Sequence, residues 1–212
     1  MGARLDKLLQ IASAQIGLEP MQSDFVLLPQ TELGAQLAEI LVLRNGFYAF
    51  ESALHFFHLG ASDHQVPDLI AWNGEDLWRG EYEDLAIGHY FFAEDIFGGQ
   101  FSILGERICA FDPETGASEQ MACSFEGWAD RLLADWATLT GHGFAYDWQK
   151  QNGVLPAGCR LLPKVPFVLG GAYDLENLYV HDAVKGMQAR GEIACQIRGL
   201  PDGTQIELKV TD

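Results

Sequence analysis

The chain has 212 residues, of which 48% are hydrophobic, including 13 Phe, 6 Tyr and 5 Trp; this is ample material for one core and little length for two. Thirty acidic against 13 basic residues give a formal charge of −17, which repels phosphate backbones and anionic lipid, so nucleic acid and membrane surfaces are not expected partners while a basic protein would be steered in. No run of about 18 apolar residues occurs, and the N-terminus carries Arg4, Asp6 and Lys7 among its leucines, so the expectation is an untargeted, cytoplasmic protein.

Leu5, Leu8, Leu9, Ala12 and Ile16 recur at helical spacing ahead of Gly17 and predict an opening amphipathic helix. A second helix is expected from about Thr31 to Arg44, with Leu33, Leu37, Ile40 and Leu41 on one face and Asn45-Gly46 ending it. A sheet begins near Phe47 and is clearest between Ile87 and Ala122. Ile87 to Phe92 reads as a strand, Gly98-Gly99 as a turn, and Phe101 to Leu104 and Arg107 to Phe111 as two more strands. Asp112-Pro113-Glu114-Thr115-Gly116 reads as a tight connection. The result is an antiparallel meander.

Ser124 stands at an N-cap position before the stripe Phe125, Trp128, Ala129, Leu132, Leu133 and Trp136, with Gly141 and Gly143 as stops. From Gly153 onward, Pro156, Pro163, Pro166, Gly170 and Gly171 punctuate short apolar pieces. Asp182 caps a brief helix expected to end at Gly191. Ile193, Cys195 and Ile197 then alternate with Ala194 and Gln196 as the first arm of a hairpin. Its turn is Leu200-Pro201-Asp202-Gly203 and its second arm Ile206, Leu208 and Val210, alternating with Gln205, Glu207 and Lys209. The fold class expected is α+β: one domain over residues 1–212, an antiparallel meander plus C-terminal hairpin flanked by helices, with a core at about 25–140 and an elaboration at about 153–212.

Four cysteines, Cys109, Cys123, Cys159 and Cys195, lie far apart with no C-x-x-C pair, which suits small reduced thiols in the cytosol. No glycine-rich phosphate loop, G-x-S-x-G elbow or H-E-x-x-H motif is present, so no cofactor or enzymatic activity is expected. Glu51, His55 and His58 would share a helical face at i, i+4 and i+7 and could then ligate a metal, but the aromatic density around them suits extended chain, which scatters them. Glu94 and Asp95 are adjacent, so a strand sends them to opposite faces and they are no catalytic dyad; a turn before Phe97-Gly98 gives such a carboxylate backbone N–H groups to accept. Glu75, Asp76, Glu81, Glu83, Asp84, Glu94 and Asp95 are opposed in their window by Arg79 alone. They form a candidate docking face for a basic protein, with Trp72 or Trp78 as an aromatic anchor; the competing reading is a solvated acidic face above core tryptophans.

The string Phe91-Phe92-Ala93-Glu94-Asp95-Ile96-Phe97-Gly98-Gly99-Gln100-Phe101 goes with Gly46-Phe47-Tyr48-Ala49-Phe50, with Phe111-Asp112-Pro113-Glu114-Thr115-Gly116 and with Ser124-Phe125-Glu126-Gly127-Trp128. In this order and spacing, across roughly residues 30 to 140, the set resembles the SUKH superfamily, nearest to the group of the yeast cell-wall assembly regulator. Pro166-Phe167, Gly170-Gly171, Asn177-Leu178, Gln196-Ile197 and Pro201-Asp202-Gly203 resemble the extension of larger bacterial members. The resemblance implies an α+β fold and, as in most bacterial members, an immunity protein that neutralises a toxin by direct binding. It carries no catalytic residues over. The alternative it leaves open is a regulatory scaffold for an endogenous partner in wall synthesis or secretion.

Overall fold

Six strands follow one another in space as they do in sequence in the computed structural model, which describes residues 2–63, 66–201, 203 and 204. Helices α1 (Ala3–Ile11) and α2 (Glu32–Leu43) come first, the second capped by Thr31, whose hydroxyl accepts from the Gly34 amide. The sheet then runs β1 (Phe47–Ala49), β2 (Leu54–Phe56), β3 (His89–Asp95), β4 (Gln100–Leu104), β5 (Arg107–Phe111) and β6 (Ser118–Ala122), every neighbour antiparallel. Between β2 and β3 lie a short helix α3 (Leu69–Trp72) and a 3-10 segment, Arg79–Ala86.

The meander is buried on both faces at its centre, which is why β3 reads as a near-continuous apolar run instead of an alternating one. Phe91 and Phe92 point to opposite sides at a bulge where the register of β3 against β4 shifts. Phe92 and Phe56 meet Phe125 and Trp128 of helix α4 (Phe125–Ala134), with the Phe92 and Trp128 rings 5.1 Å apart. On the other face Phe91 contacts Trp78 at 5.1 Å and Phe111 at 5.2 Å, and Tyr82 closes on both Trp78 and Phe111. Trp72, Trp78 and Trp128 are each 1% exposed or less, so the tryptophans are the filling of the two layers.

The chain continues through α5 (Trp136–Thr140) and α6 (His142–Asn152) to β7 (Cys159–Pro163) and β8 (Leu178–Asp182), a separate antiparallel pair, and then to α7 (Ala183–Ile197), the last element among the described residues. The α+β class and the antiparallel meander are thus as expected, and a two-stranded unit follows in the C-terminal third. Its position is not the expected one. Ile193 to Ile197 is helical, the last turns of α7, whose N-cap Asp182 accepts from the Lys185 amide. Gly191 does not stop this helix. A Cβ there would come within 2.8 Å of Glu81 and 2.9 Å of Tyr82, so the glycine lets α7 lie flat on the 3-10 segment. The supposed second arm at 205–210 lies outside the described residues. Two further differences are local: Ile16 lies beyond the end of α1, and the expected helix from Phe125 to Trp136 is interrupted at Asp135, so Trp136 starts a new helix and is 37% exposed.

Candidate functional site

Glu51, His55 and His58 are not brought together as a metal site. Phe50, Glu51 and Ser52 all have positive φ in the β1–β2 hairpin, and Glu51 turns outward to meet His142 Nε2 at 2.9 Å. His55 sits in β2 and points into the molecule. Among the described residues no group of three or more metal-ligating side chains is gathered.

His55 belongs to a buried polar cluster instead. Its Nδ1 lies 3.0 Å from Glu94 Oε1, and Arg160 Nε from β7 lies 2.9 Å from the same oxygen, each of these side chains being 3% exposed or less. Gln100 Nε2 donates to Glu94 Oε2 at 3.3 Å, and Gln100 Oε1 accepts from Trp72 Nε1 at 2.9 Å. Burial, the largest effect, and the Arg160 charge hold His55 down at about 4 against the pull of Glu94, so the ring is neutral. Glu94 is lowered despite burial, which alone would raise it, because Arg160 and His55 stabilise its charge. The cluster clasps the C-terminal pair of strands to the meander.

The acidic segment therefore divides. Glu94 is 1% exposed and paired with Arg160, and Asp95 is half-buried with Oδ1 accepting from the Phe97 and Gly99 amides at 2.8 Å each. The second is the turn role expected of this pair; neither belongs to an open face. Trp72 and Trp78, expected as possible anchors, are core residues at 1% exposure, and no side of either is free to enter a partner. Glu75, Asp76, Glu81, Glu83 and Asp84 are exposed. Helix α7 and the residue after it reach this stretch at two points: Cys195 Sγ lies 3.4 Å from the Glu81 carbonyl, and Arg198 forms an ion pair with Asp84. Burial and then the charges of Glu83, Asp84 and Glu81 push the Cys195 thiol up, although Arg198 opposes them. Glu75 meets Arg79 at 3.4 Å, but Arg79 is itself only 8% exposed, its guanidinium donating to the His89 and Ala86 carbonyls. The outcome is an acidic shelf on the 75–84 segment.

A second feature was not legible in the sequence: a cleft of about 640 Å³ between the outer part of the meander and a strap at residues 166–173. Its mouth is aromatic, with Phe167 stacked on Tyr173 at 3.8 Å and both rings edge-on to Phe97. Among the described residues its walls carry Asp95, Asp112, Glu114 and Glu119 against a single cation, Arg190 of α7. Burial raises the Glu114 carboxyl above the ordinary carboxylate range, against the Val168 and Phe167 amides and Arg190. Glu114 stands in a stretch that the sequence marks only as a turn, and nothing local indicates that its side chain turns inward.

No family model and no curated protein matches the chain. The crystal structure of Atu4351 from Agrobacterium tumefaciens superposes with a TM-score of 0.53 over 87% of this chain and 86% of that one, at 12% sequence identity. The likeness is one of fold. No helix among the described residues is long and apolar enough to cross a membrane.

Proposed function

We propose that this chain is a non-enzymatic protein-binding domain that captures a basic protein partner, and that the partner is a toxin domain which it neutralises, as the SUKH resemblance implies. The observation that carries the reading is the shelf: five exposed carboxylates on one short segment, in a molecule of net charge −17, with Arg79 folded inward beneath them. Arg198 pairs with Asp84 at one edge, and the excess of carboxylates that remains repels nucleic acid and raises the encounter rate with a basic surface. The test is to express the chain with the product of the neighbouring gene and purify the two together. A stoichiometric complex in which the partner's toxicity is lost is the expected result. A neighbouring product that forms no complex and stays toxic to cells making this chain removes the reading.

A further inference from the structure

We infer that the cleft beneath the 166–173 strap receives a lysine or arginine side chain of the basic partner; this rests on the protein-binding reading and specifies its anchor. The first support is the state of the four carboxylates on the wall. Asp95 Oδ1 is committed to the Phe97 and Gly99 amides, and Asp112 to the Glu114 amide and the Thr115 hydroxyl. Glu119 is exposed and faces Arg131 at 3.7 Å. Glu114 differs from all of them. The residue is 4% exposed, its Oε2 accepts from the Val168 amide at 2.8 Å, and its Oε1 is buried with no hydrogen-bond partner. A buried acceptor left unmet calls for a donor.

Arg190 does not supply that donor. Its Nε and Nη1 donate to the Gly186 and Phe97 carbonyls at 3.0 and 2.6 Å, and its Nη2 faces Met187 Sδ at 3.5 Å, so all three nitrogens are engaged elsewhere. An occupant of the cleft can supply the remaining donor. An anion would meet carboxylates, and a purely apolar group would leave the buried Glu114 Oε1 unmet. A cation on an apolar stem suits both parts of the site: the stem lies against Phe97, Phe167 and Tyr173, and the head reaches Glu114. Tyr173, 65% exposed at the mouth, offers a ring face to the same charge. The strap is tied to the meander here by the Glu114–Val168 bond and by the edge-on packing of Phe167 on Phe97, so entry of the side chain parts the strap at these contacts.

The test uses the full chain, isotopically labelled, titrated with the capped tripeptide Gly-Arg-Gly, its citrulline isostere, and agmatine, a free small cation of the same chemistry. The arginine peptide should give saturable NMR shifts at residues 95–99, 112–115 and 167–173, with citrulline binding about tenfold more weakly, the usual effect of losing a charged hydrogen bond. Glu114→Gln, which keeps an acceptor for Val168, should weaken the arginine peptide by about the same factor, and Tyr173→Ala, at an exposed position, by about threefold. Equal binding of arginine and citrulline peptides, shifts confined to residues 75–84, or no saturable shift overturns the assignment; agmatine binding as tightly as the peptide makes this a small-cation site and overturns it as a docking site. Capture of the whole partner by Glu114→Gln at full affinity sinks the cleft alone, whereas loss of all partner binding in the wild type sinks the reading beneath it.

Discussion

A charge inside a protein is tolerated only while its counter-charge stays in place, and Glu94 and Arg160 hold each other on that condition. Arg160, 1% exposed, has Glu94 as its acidic neighbour at 2.9 Å. Glu94→Gln keeps the shape and strands the arginine, so unfolding free energy should fall by about 3 kcal/mol, the low end for breaking a buried pair, as read from urea midpoints at pH 7. A change under about 1 kcal/mol would mean that water reaches the pair. The histidines add a pH dependence of definite sign. His89, between Ser102 and Ser118 at 2.7 and 3.1 Å, is lowered to about 4, by burial first and then by Arg79. Its unfolded pKa is about 6.5, so the folded state takes up the proton less readily. Its contribution is complete above pH 6.5 and is lost as pH falls towards 4. Between pH 7.5 and pH 5 the wild type should therefore lose about 1–2 kcal/mol more than His89→Gln; parallel losses in the two proteins would show that folding leaves the affinity of His89 for its proton unchanged. Glu83 is strained in a different way, at φ 49° and ψ −124°, a region that glycine alone occupies freely. Glu83→Gly should gain about 1 kcal/mol while removing one shelf charge, and a thermal scan that shows destabilisation instead would mean that the side chain holds the segment.

At the scale of elements, local chemistry was legible wherever one residue type answers one backbone need. Ser124 is the N-cap of α4, its hydroxyl accepting from the Gly127 amide at 3.1 Å, as the Ser-Phe-Glu-Gly sequence before an apolar stripe indicates. Ser124→Ala should cost about 1 kcal/mol and leave partner binding intact; an unchanged unfolding midpoint would show that Glu126, bonded to the Arg4 and Leu5 amides, holds that end of the helix without the cap. Where packing chose between two readings, the sequence failed. Ile193 and Ile197 suit an alternating strand and equally an i, i+4 pair on a helix, and the choice was made by Gly191 fitting against Tyr82, a contact over a hundred residues away in the chain. The expected site divides along the same line. The exposure of Glu75, Asp76, Glu81, Glu83 and Asp84 follows from their local charge, but the fate of Glu94 depended on Arg160 and that of Trp78 on Phe91 and Tyr82. The cleft, assembled from β4–β6, the strap and α7, has no local signature at all.

For the whole molecule, the question is whether the shelf acts as a place or only as part of the net charge. Fields of this kind raise association rates by roughly 10 to 10³ where they are focused, and the gain falls with salt. Two triple variants separate the cases. Glu81→Lys with Glu83→Lys and Asp84→Lys alters the shelf, and Glu19→Lys with Glu39→Lys and Glu106→Lys alters exposed carboxylates elsewhere in the chain. Each reversal adds two charges, so both take the chain from −17 to −11. Asp84 also pairs with Arg198 at the surface, so the shelf triple needs its thermal midpoint measured beside its kinetics, since a pair this exposed contributes little to stability. With the fold intact, stopped-flow association with the basic partner should slow about tenfold for the shelf triple at low salt, lose most of its salt dependence, and stay near the wild-type rate for the other. Because the reversed shelf groups are exposed, the change should fall on association; a matching rise in dissociation would mean that at least one of them is desolvated in the complex. Equal slowing of both triples would reduce the shelf to a share of the net charge, and no slowing of either would leave the partner to be held by contacts elsewhere on the surface.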